Sequence, residues 1–240
     1  MKEEMVFGRN SILSLFESSN IPRRILVQNG NTKGSLKKIL ALAKDANVEI
    51  RYMDRKKLDS ITENGNHQGV VAFVGGYEYA DFDEFLEKGV KGFVLILDGI
   101  EDPHNLGAIL RTAEGAGVDL VIIPERRACG INETVRKVSQ GATEFLKIAK
   151  VVNINNTIKT LKDHGYWIYG ADMDGRPYSQ EKMTRPIALV IGSEGKGISR
   201  LVKENIDIIV SIPMKGKISS LNASVAAGIL MYEILRQENG

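Results

Sequence analysis

The chain has 240 residues, 43% of them apolar and 26% charged, with a single cysteine, Cys129, and a formal net charge of +2. That length suffices for one large domain or two small ones, and two are expected. One cysteine excludes an internal disulfide and points to a reducing compartment, so a cytoplasmic setting is expected. The start MKEEMVFGRN has acids where a signal peptide needs a basic start and an apolar core, and no apolar run approaches a membrane span, so neither secretion nor insertion is expected.

The small net charge hides an uneven distribution. Residues 1 to 75 carry 12 Lys/Arg against 8 Asp/Glu, residues 76 to 91 carry 2 against 5, and residues 92 to 240 carry 18 against 17. Clusters such as Arg23-Arg24, Lys37-Lys38 and Arg55-Lys56-Lys57 suit phosphate contacts, and equally a solvated surface.

Along the chain, apolar runs of strand length alternate with helical patterns. ILVQ (25 to 28) is followed by the helical LKKILALAKDA (36 to 46), then by VEIRY (48 to 52) and GVVAFVG (69 to 75). The glycine-flanked acidic stretch GYEYADFDEFLEKGVKG (76 to 92), with a short helix over DFDEFLEK, reads as a linker. The domains expected are therefore residues 1 to 75, a linker over 76 to 91, and residues 92 to 240. After the linker come FVLIL (93 to 97), helical NLGAILRTAEGAG (105 to 117), LVIIP (120 to 124), helical ETVRKVSQGA (133 to 142) and helical NNTIKTLKDHG (155 to 165). WIYGA (167 to 171), IALVIG (187 to 192), IDIIVSIP (206 to 213) and helical NASVAAGILMYEIL (222 to 235) complete the chain. This β-α alternation predicts an α/β fold whose parallel sheet is covered by helices on both faces.

In such sheets ligands gather at the carboxyl ends of strands. Three loops there stand out: DGIEDPHN after FVLIL, GSEGKGIS after IALVI, and PMKGKISSLNAS after IDIIVSI. Asp98, Glu101, Asp102 and His104 crowd the first loop, but no pair of ligands at i, i+4 accompanies them and no His/Cys cluster occurs elsewhere; turn formers and helix-start charges are the expected roles, with no metal. Asn105 sits where an N-cap belongs, and Arg111, offset from the apolar stripe of its helix, is either an exposed residue or points into a cleft. GSEGKG fits neither a dinucleotide nor an ATP phosphate loop, so Glu194 reads as a helix-start charge for ISRLVKE. Ser220 and Asn222 flank the start of the last helix, where one of them suffices as a cap.

Taken together the three loops resemble those of the SpoU (TrmH-type) RNA ribose 2′-O-methyltransferases: LILDGIEDPHNLGAILRTAEGAGV the first motif, ALVIGSEGKGIS the second, SIPMKGKISSLNASVAAGILMYE the third. The resemblance spans residues 93 to 240. FGRNSIL and HQGVVAFV in addition resemble the small substrate-binding domain of the 23S rRNA guanosine-2′-O-methyltransferase branch. The resemblance implies a C-terminal trefoil knot, a preceding α/β substrate-binding domain with a ribosomal-protein L30e-like fold, S-adenosylmethionine as methyl donor without a metal, a homodimer, and an RNA substrate, 23S rRNA ahead of tRNA. Position by position it implies catalytic roles for Asn105, Arg111, Glu194, Ser220 and Asn222, and donor binding by the backbone at Gly192, Ile212 and Leu221, with glycine expected at 192 so that the backbone can approach the ligand. A non-catalytic RNA-binding factor of the same fold and an unrelated nucleotide-dependent enzyme are the competing classes.

Overall fold

A computed structural model of the chain describes residues 4–18, 21–30, 34–217 and 220–239, so that Ile218 and Ser219 of the third loop fall outside the described residues. Its contacts divide it into two compact units, Met1–Glu78 with Ile131–Phe145, and Tyr79–Gly130 with Leu146–Gly240.

The first unit runs β1 (Glu4–Phe7), α1 (Arg9–Glu17), β2 (Arg24–Gln28), α2 (Ser35–Asp45), β3 (Glu49–Met53), α3 (Arg55–Ile61) and β4 (Val70–Val74). The sheet order is β1-β4-β2-β3, with β2 and β3 parallel and both pairs involving β4 antiparallel. Side chains alternate across a strand, so Ile25 and Val27 face one way, onto Ile12 and Leu15 of α1 and Leu36, Ile39 and Ala43 of α2, while Leu26 faces the other, with Phe7, Leu58 and Val71. Three elements here are not evident in the sequence pattern. β1 is four residues long, α1 follows it directly, and α3 buries only Leu58 among its seven residues, so its sequence RKKLDSI reads as a charge cluster.

Residues 131–145 join this unit through α6 (Glu133–Val138) and a 3₁₀ turn, Ala142–Glu144. The helix is shorter than the pattern over 133 to 142 predicts because Gln140 and Gly141 turn to φ 55° and 92°, where helical backbone ends. Arg136 is buried and donates from Nη1 to Glu144 Oε1 at 2.9 Å, its guanidinium 5.5 Å from the centre of the Tyr77 ring, and Lys137 Nζ stands 4.9 Å over Phe7.

The second unit comprises α4 (Phe82–Glu87), β5 (Phe93–Asp98), α5 (Pro103–Gly115), β6 (Leu120–Pro124), β7 (Ile148–Val151), α7 (Ile154–Asp163), β8 (Trp167–Pro177), β9 (Ile187–Gly192), α8 (Arg200–Lys203), β10 (Ile208–Ser211) and α9 (Ala223–Asn239). Its six strands are all parallel in the order β10-β8-β9-β5-β6-β7. The first five residues of β5 and of β9 are all buried, as strands covered on both faces must be. Val94, Ile96, Ile122, Ala188 and Val190 pack with α4, α7 and α8 through Phe85, Leu86, Ile158, Leu161 and Val202; α9 lies against α5 and β9. The chain order thus reverses around β5 and β9, whose ends Asp98 and Gly192 stand side by side in register. Loops that leave adjacent strands at such a switch point diverge and open a crevice.

Candidate functional site

All three loops leave the carboxyl ends of strands in this crevice. The first is shaped by its acids. Asp102 caps α5 by accepting from His104 N–H at 2.9 Å, with Pro103 at the first helical position, and Asp98 Oδ2 accepts from Ser199 N–H at 2.7 Å, tying the second loop to the end of β5. Asn105 is therefore not the cap that its position in the sequence predicts; it lies within the first turn, its side chain released for other contacts. Glu101 and His104 are exposed, and among the described residues no three His, Cys, Asp or Glu side chains gather as a metal site.

The second loop closes on itself. Ser193 and Gly197 exchange backbone hydrogen bonds at 3.1 and 2.9 Å, with Gly195 and Gly197 at φ 84° and 64°. A Cβ on Gly192 would stand 2.1 Å from Gly197 C and 2.2 Å from Ile198 N. Glycine at 192 is thus required by the loop's own return past the strand. Glu194 is carried on this turn, and α8 is preceded instead by Ser199, so the helix-start role anticipated for Glu194 is not the one it has.

The third loop brings Asn222 to the other two. Asn222 Oδ1 accepts from Ser224 N–H at 2.8 Å, capping α9, while its Nδ2 donates to Asn105 Oδ1 at 2.9 Å and to Glu194 Oε2 at 3.4 Å. Asn105 Nδ2 also donates to Glu194 Oε2, at 3.2 Å. One residue from each motif therefore meets in a single network in which a carboxylate accepts from two amides. Ser220 is exposed at the rim of the adjoining cleft; Arg111 is exposed on α5, with no hydrogen-bond or ion-pair partner, in the network or elsewhere, among the described residues.

That cleft, of about 550 Å³, is lined by Gly192, Glu194, Ile212, Ser220 and Leu221, together with Asp172, Asp174 and Lys203. The last three are not legible as site residues in the sequence, where the strand pattern WIYGA ends at Ala171. In the structure the strand continues, but its pairing to β10 jumps from Gly170 opposite Ile209 to Arg176 opposite Val210, and the intervening residues bulge out to line the cleft. Gly175 permits it, since a Cβ there would lie 2.6 Å from the Ile209 and Val210 carbonyl carbons. Lys203 Nζ sits 2.9 Å from Asp172 Oδ2 and 3.6 Å from Asp174 Oδ2, and the hydrogen bond to Asp172 raises its pKa above the ordinary lysine value. The D-x-D-G that follows the apolar strand is the one signal that marks this bulge in advance.

A parallel α/β unit with three strand-end loops sharing one polar network, beside a cleft of ligand size, defines the class of protein. The particular family follows from comparison with known proteins: the chain belongs to the SpoU rRNA methylase family, which matches residues 92–232, and residues 5–80 match the domain described as RNA 2′-O ribose methyltransferase substrate binding. A Staphylococcus saprophyticus protein assigned to the TrmH family of tRNA/rRNA methyltransferases is 45% identical over 100% of this chain and 98% of its own length. Among solved structures, the SpoU methyltransferase AviRb from Streptomyces viridochromogenes is 25% identical with a TM-score of 0.85, over 99% of this chain and 90% of that one. AviRb has also been solved with the cofactor AdoMet, with a TM-score of 0.82. The TrmH/SpoU tRNA modifying enzyme from A. aeolicus is 30% identical with a TM-score of 0.58, over 65% of this chain and 84% of that one.

Proposed function

We propose that the chain methylates a ribose 2′-hydroxyl of RNA, with S-adenosylmethionine as donor and a guanosine of 23S rRNA as target, acting in the cytoplasm. The observation that carries this reading is the meeting of Asn105, Glu194 and Asn222, one from each loop, beside the cleft that Gly192, Ile212 and Leu221 line. The cleft's volume is in the range of small-molecule sites, and its lining combines apolar Ile212 and Leu221 with carboxylates and lysines. A ligand with an adenosine body and an amino-acid end fits such a donor set.

When bound, S-adenosylmethionine supplies a methyl group on a positively charged sulfur, activated for in-line attack. The chain's residues then have positioning and proton removal left to do. Arg111, exposed and without a structural partner among the described residues, grips the substrate phosphate and polarises the hydroxyl. Arginine stays protonated in ordinary surroundings, so the proton leaves through that phosphate or through a guanidinium strongly perturbed by the bound substrate. Asn105, Ser220 and Asn222 orient the ribose and the loops, and Glu194 braces the two amides by accepting from both.

Residues 1 to 75 serve as the RNA-binding domain, of L30e-like fold, joined through 76 to 91 to the catalytic part. The stretch after β10 is threaded as a trefoil knot; support comes from β10 lying at one edge of the sheet while α9, the next element, packs on α5 and β9. A homodimer is proposed on the exposure of Val225 and Tyr232 along α9. A tRNA target is the second reading, favoured by the 30% identity to the A. aeolicus enzyme. Mapping ribose 2′-O-methylation over all RNAs of a deletion strain tests the proposal: one lost guanosine methyl in 23S rRNA is expected, a lost tRNA methyl selects the second reading, and an unchanged map overturns both.

A further inference from the structure

A second cleft, of about 740 Å³, opens within the N-terminal unit, lined by Arg9, Gln28, Arg55, Asp59 and residues 64–69. It is built by the two N-terminal motifs, FGRN providing Arg9 and HQG providing residues 67–69. Its frame is braced from beneath. His67 is buried; its Nδ1 accepts from Gly69 N–H at 3.0 Å, which assigns the ring proton to Nε2, donating to Asp59 Oδ1 at 2.9 Å. Arg9 is held by Gln68, its backbone N–H donating to Oε1 at 3.0 Å and its Nε to the carbonyl at 3.1 Å. A Cβ on Gly65 would stand 2.5 Å from the Phe7 ring, and Asn64 and Gln68 are held at φ 63° and 53°, a strained conformation that clusters at functional sites.

On this frame three solvent-facing amides are unspent. The side-chain amides of Gln28, Asn64 and Asn66 have no hydrogen-bond partner among the described residues, and Arg55 has its side chain 73% exposed, 3.8 Å from Asp59 Oδ2. The Asp59 carboxylate faces Arg55 on one side and accepts from His67 on the other. Among the described residues no apolar side chain lines the cleft, whereas Ile212 and Leu221 line the other one. Two guanidiniums suit a phosphate, and amides, which donate and accept, suit the edge of an unstacked base.

We infer that this cleft seats one unpaired nucleotide of the RNA substrate, its phosphate on Arg9 and Arg55 and its base edge on Asn64 and Asn66. The inference rests on the RNA-methyltransferase reading and adds to it where the substrate is gripped. The test uses the full chain, tritiated S-adenosylmethionine and total RNA from a strain lacking the gene. Arg55→Glu should raise the KM for RNA about tenfold and flatten its salt dependence by about one phosphate contact. Turnover at saturating RNA, donor affinity by calorimetry and the melting temperature should stay within about twofold or about 2 °C of wild type, as expected for an exposed residue remote in function from the transfer step. Arg55→Lys should recover most of the loss, and the double variant Asn64→Ala/Asn66→Ala should raise KM several-fold with an unchanged salt slope. Unchanged KM in both Arg55→Glu and the amide pair overturns the inference while leaving methyl transfer intact. So does micromolar binding of free GMP or AMP at residues 64–69 with no effect of the variants on RNA. Should wild type methylate no RNA, the proposed function fails, and filter binding of the same RNA still decides the cleft: equal affinity of wild type and Arg55→Glu overturns it.

Discussion

The two clefts differ in what their walls are made of. The one at the strand ends of the parallel sheet mixes Ile191, Val210, Ile212 and Leu221 with a few charges, whereas the one in the N-terminal unit is polar throughout. Apolar walls with a few placed charges hold a discrete molecule by excluding water; an all-polar wall exchanges water for the phosphates and base edges of a solvated polymer. The sheets below differ in the same sense. Strands buried on both faces leave only their ends for function, while the mixed sheet keeps an exposed edge, β3, beside its loops.

The comparison breaks most readily at Gly192. Gly192→Val forces the second loop off the strand end and should abolish S-adenosylmethionine binding in calorimetry, with a fall in stability of roughly 1–3 kcal/mol from overpacking. Normal donor affinity in that variant would mean that the donor sits elsewhere. The next largest effect is expected at Arg111. Because it has no hydrogen-bond or ion-pair partner among the described residues, Arg111→Ala should lower turnover by about two orders of magnitude or more while melting temperature and donor affinity stay near wild type. Near-normal turnover would remove Arg111 from the mechanism.

Asn222 sharpens the contrast between capping and catalysis, since it does both. Asn222→Ala should cost about 1 kcal/mol of stability through the lost cap and also reduce turnover, whereas Asn105→Ala should reduce turnover with a smaller loss of stability, since Asp102 provides the cap there. Equal stability losses in urea titrations would show that the network, not the cap, holds α9.

A smaller, pH-dependent effect is expected at the far end of α9. The Arg236 guanidinium, donating to both Glu233 oxygens, and then Gln237 hold the Glu233 carboxyl down, to about 2. A carboxyl depressed on folding stabilises the native state above its unfolded value near 4.5, and that contribution fades as pH falls from there toward 2. Glu233→Gln should therefore lower the melting temperature by a pH-independent amount above about 4.5 and flatten the acid limb of stability below it, because the contribution it removes is already fading there. Ile212→Val marks the lower end of the scale: it removes one methylene from the cleft wall and should change donor affinity only slightly.

How much of this was legible in the sequence follows from burial. The strands FVLIL and IALVI are continuous apolar runs because both faces are covered, and the loops after them were therefore identifiable as the place for a site. β1 and β7 were not legible: each is four residues long, and β7 carries the exposed Lys150 in its apolar run. Each of Asn105, Glu194 and Asn222 was ambiguous alone, because capping and helix-start charge explain such residues as well as catalysis does. Only tertiary structure brings them together, and it corrects the capping assignment at Asn105. Asp172 and Asp174 were hidden for a different reason. A bulge depends on the register between β8 and β10, strands separated by β9 in sequence, and D-x-D-G is the only local sign of it.

The most direct test of the three-loop site is transfer itself. The purified chain, tritiated S-adenosylmethionine and total RNA from a deletion strain should yield label in ribose 2′-O-methylguanosine of 23S rRNA after nuclease digestion, and the Arg111→Ala variant should yield about a hundredth as much or less. Label on a base, or equal labelling by the variant, would contradict the account.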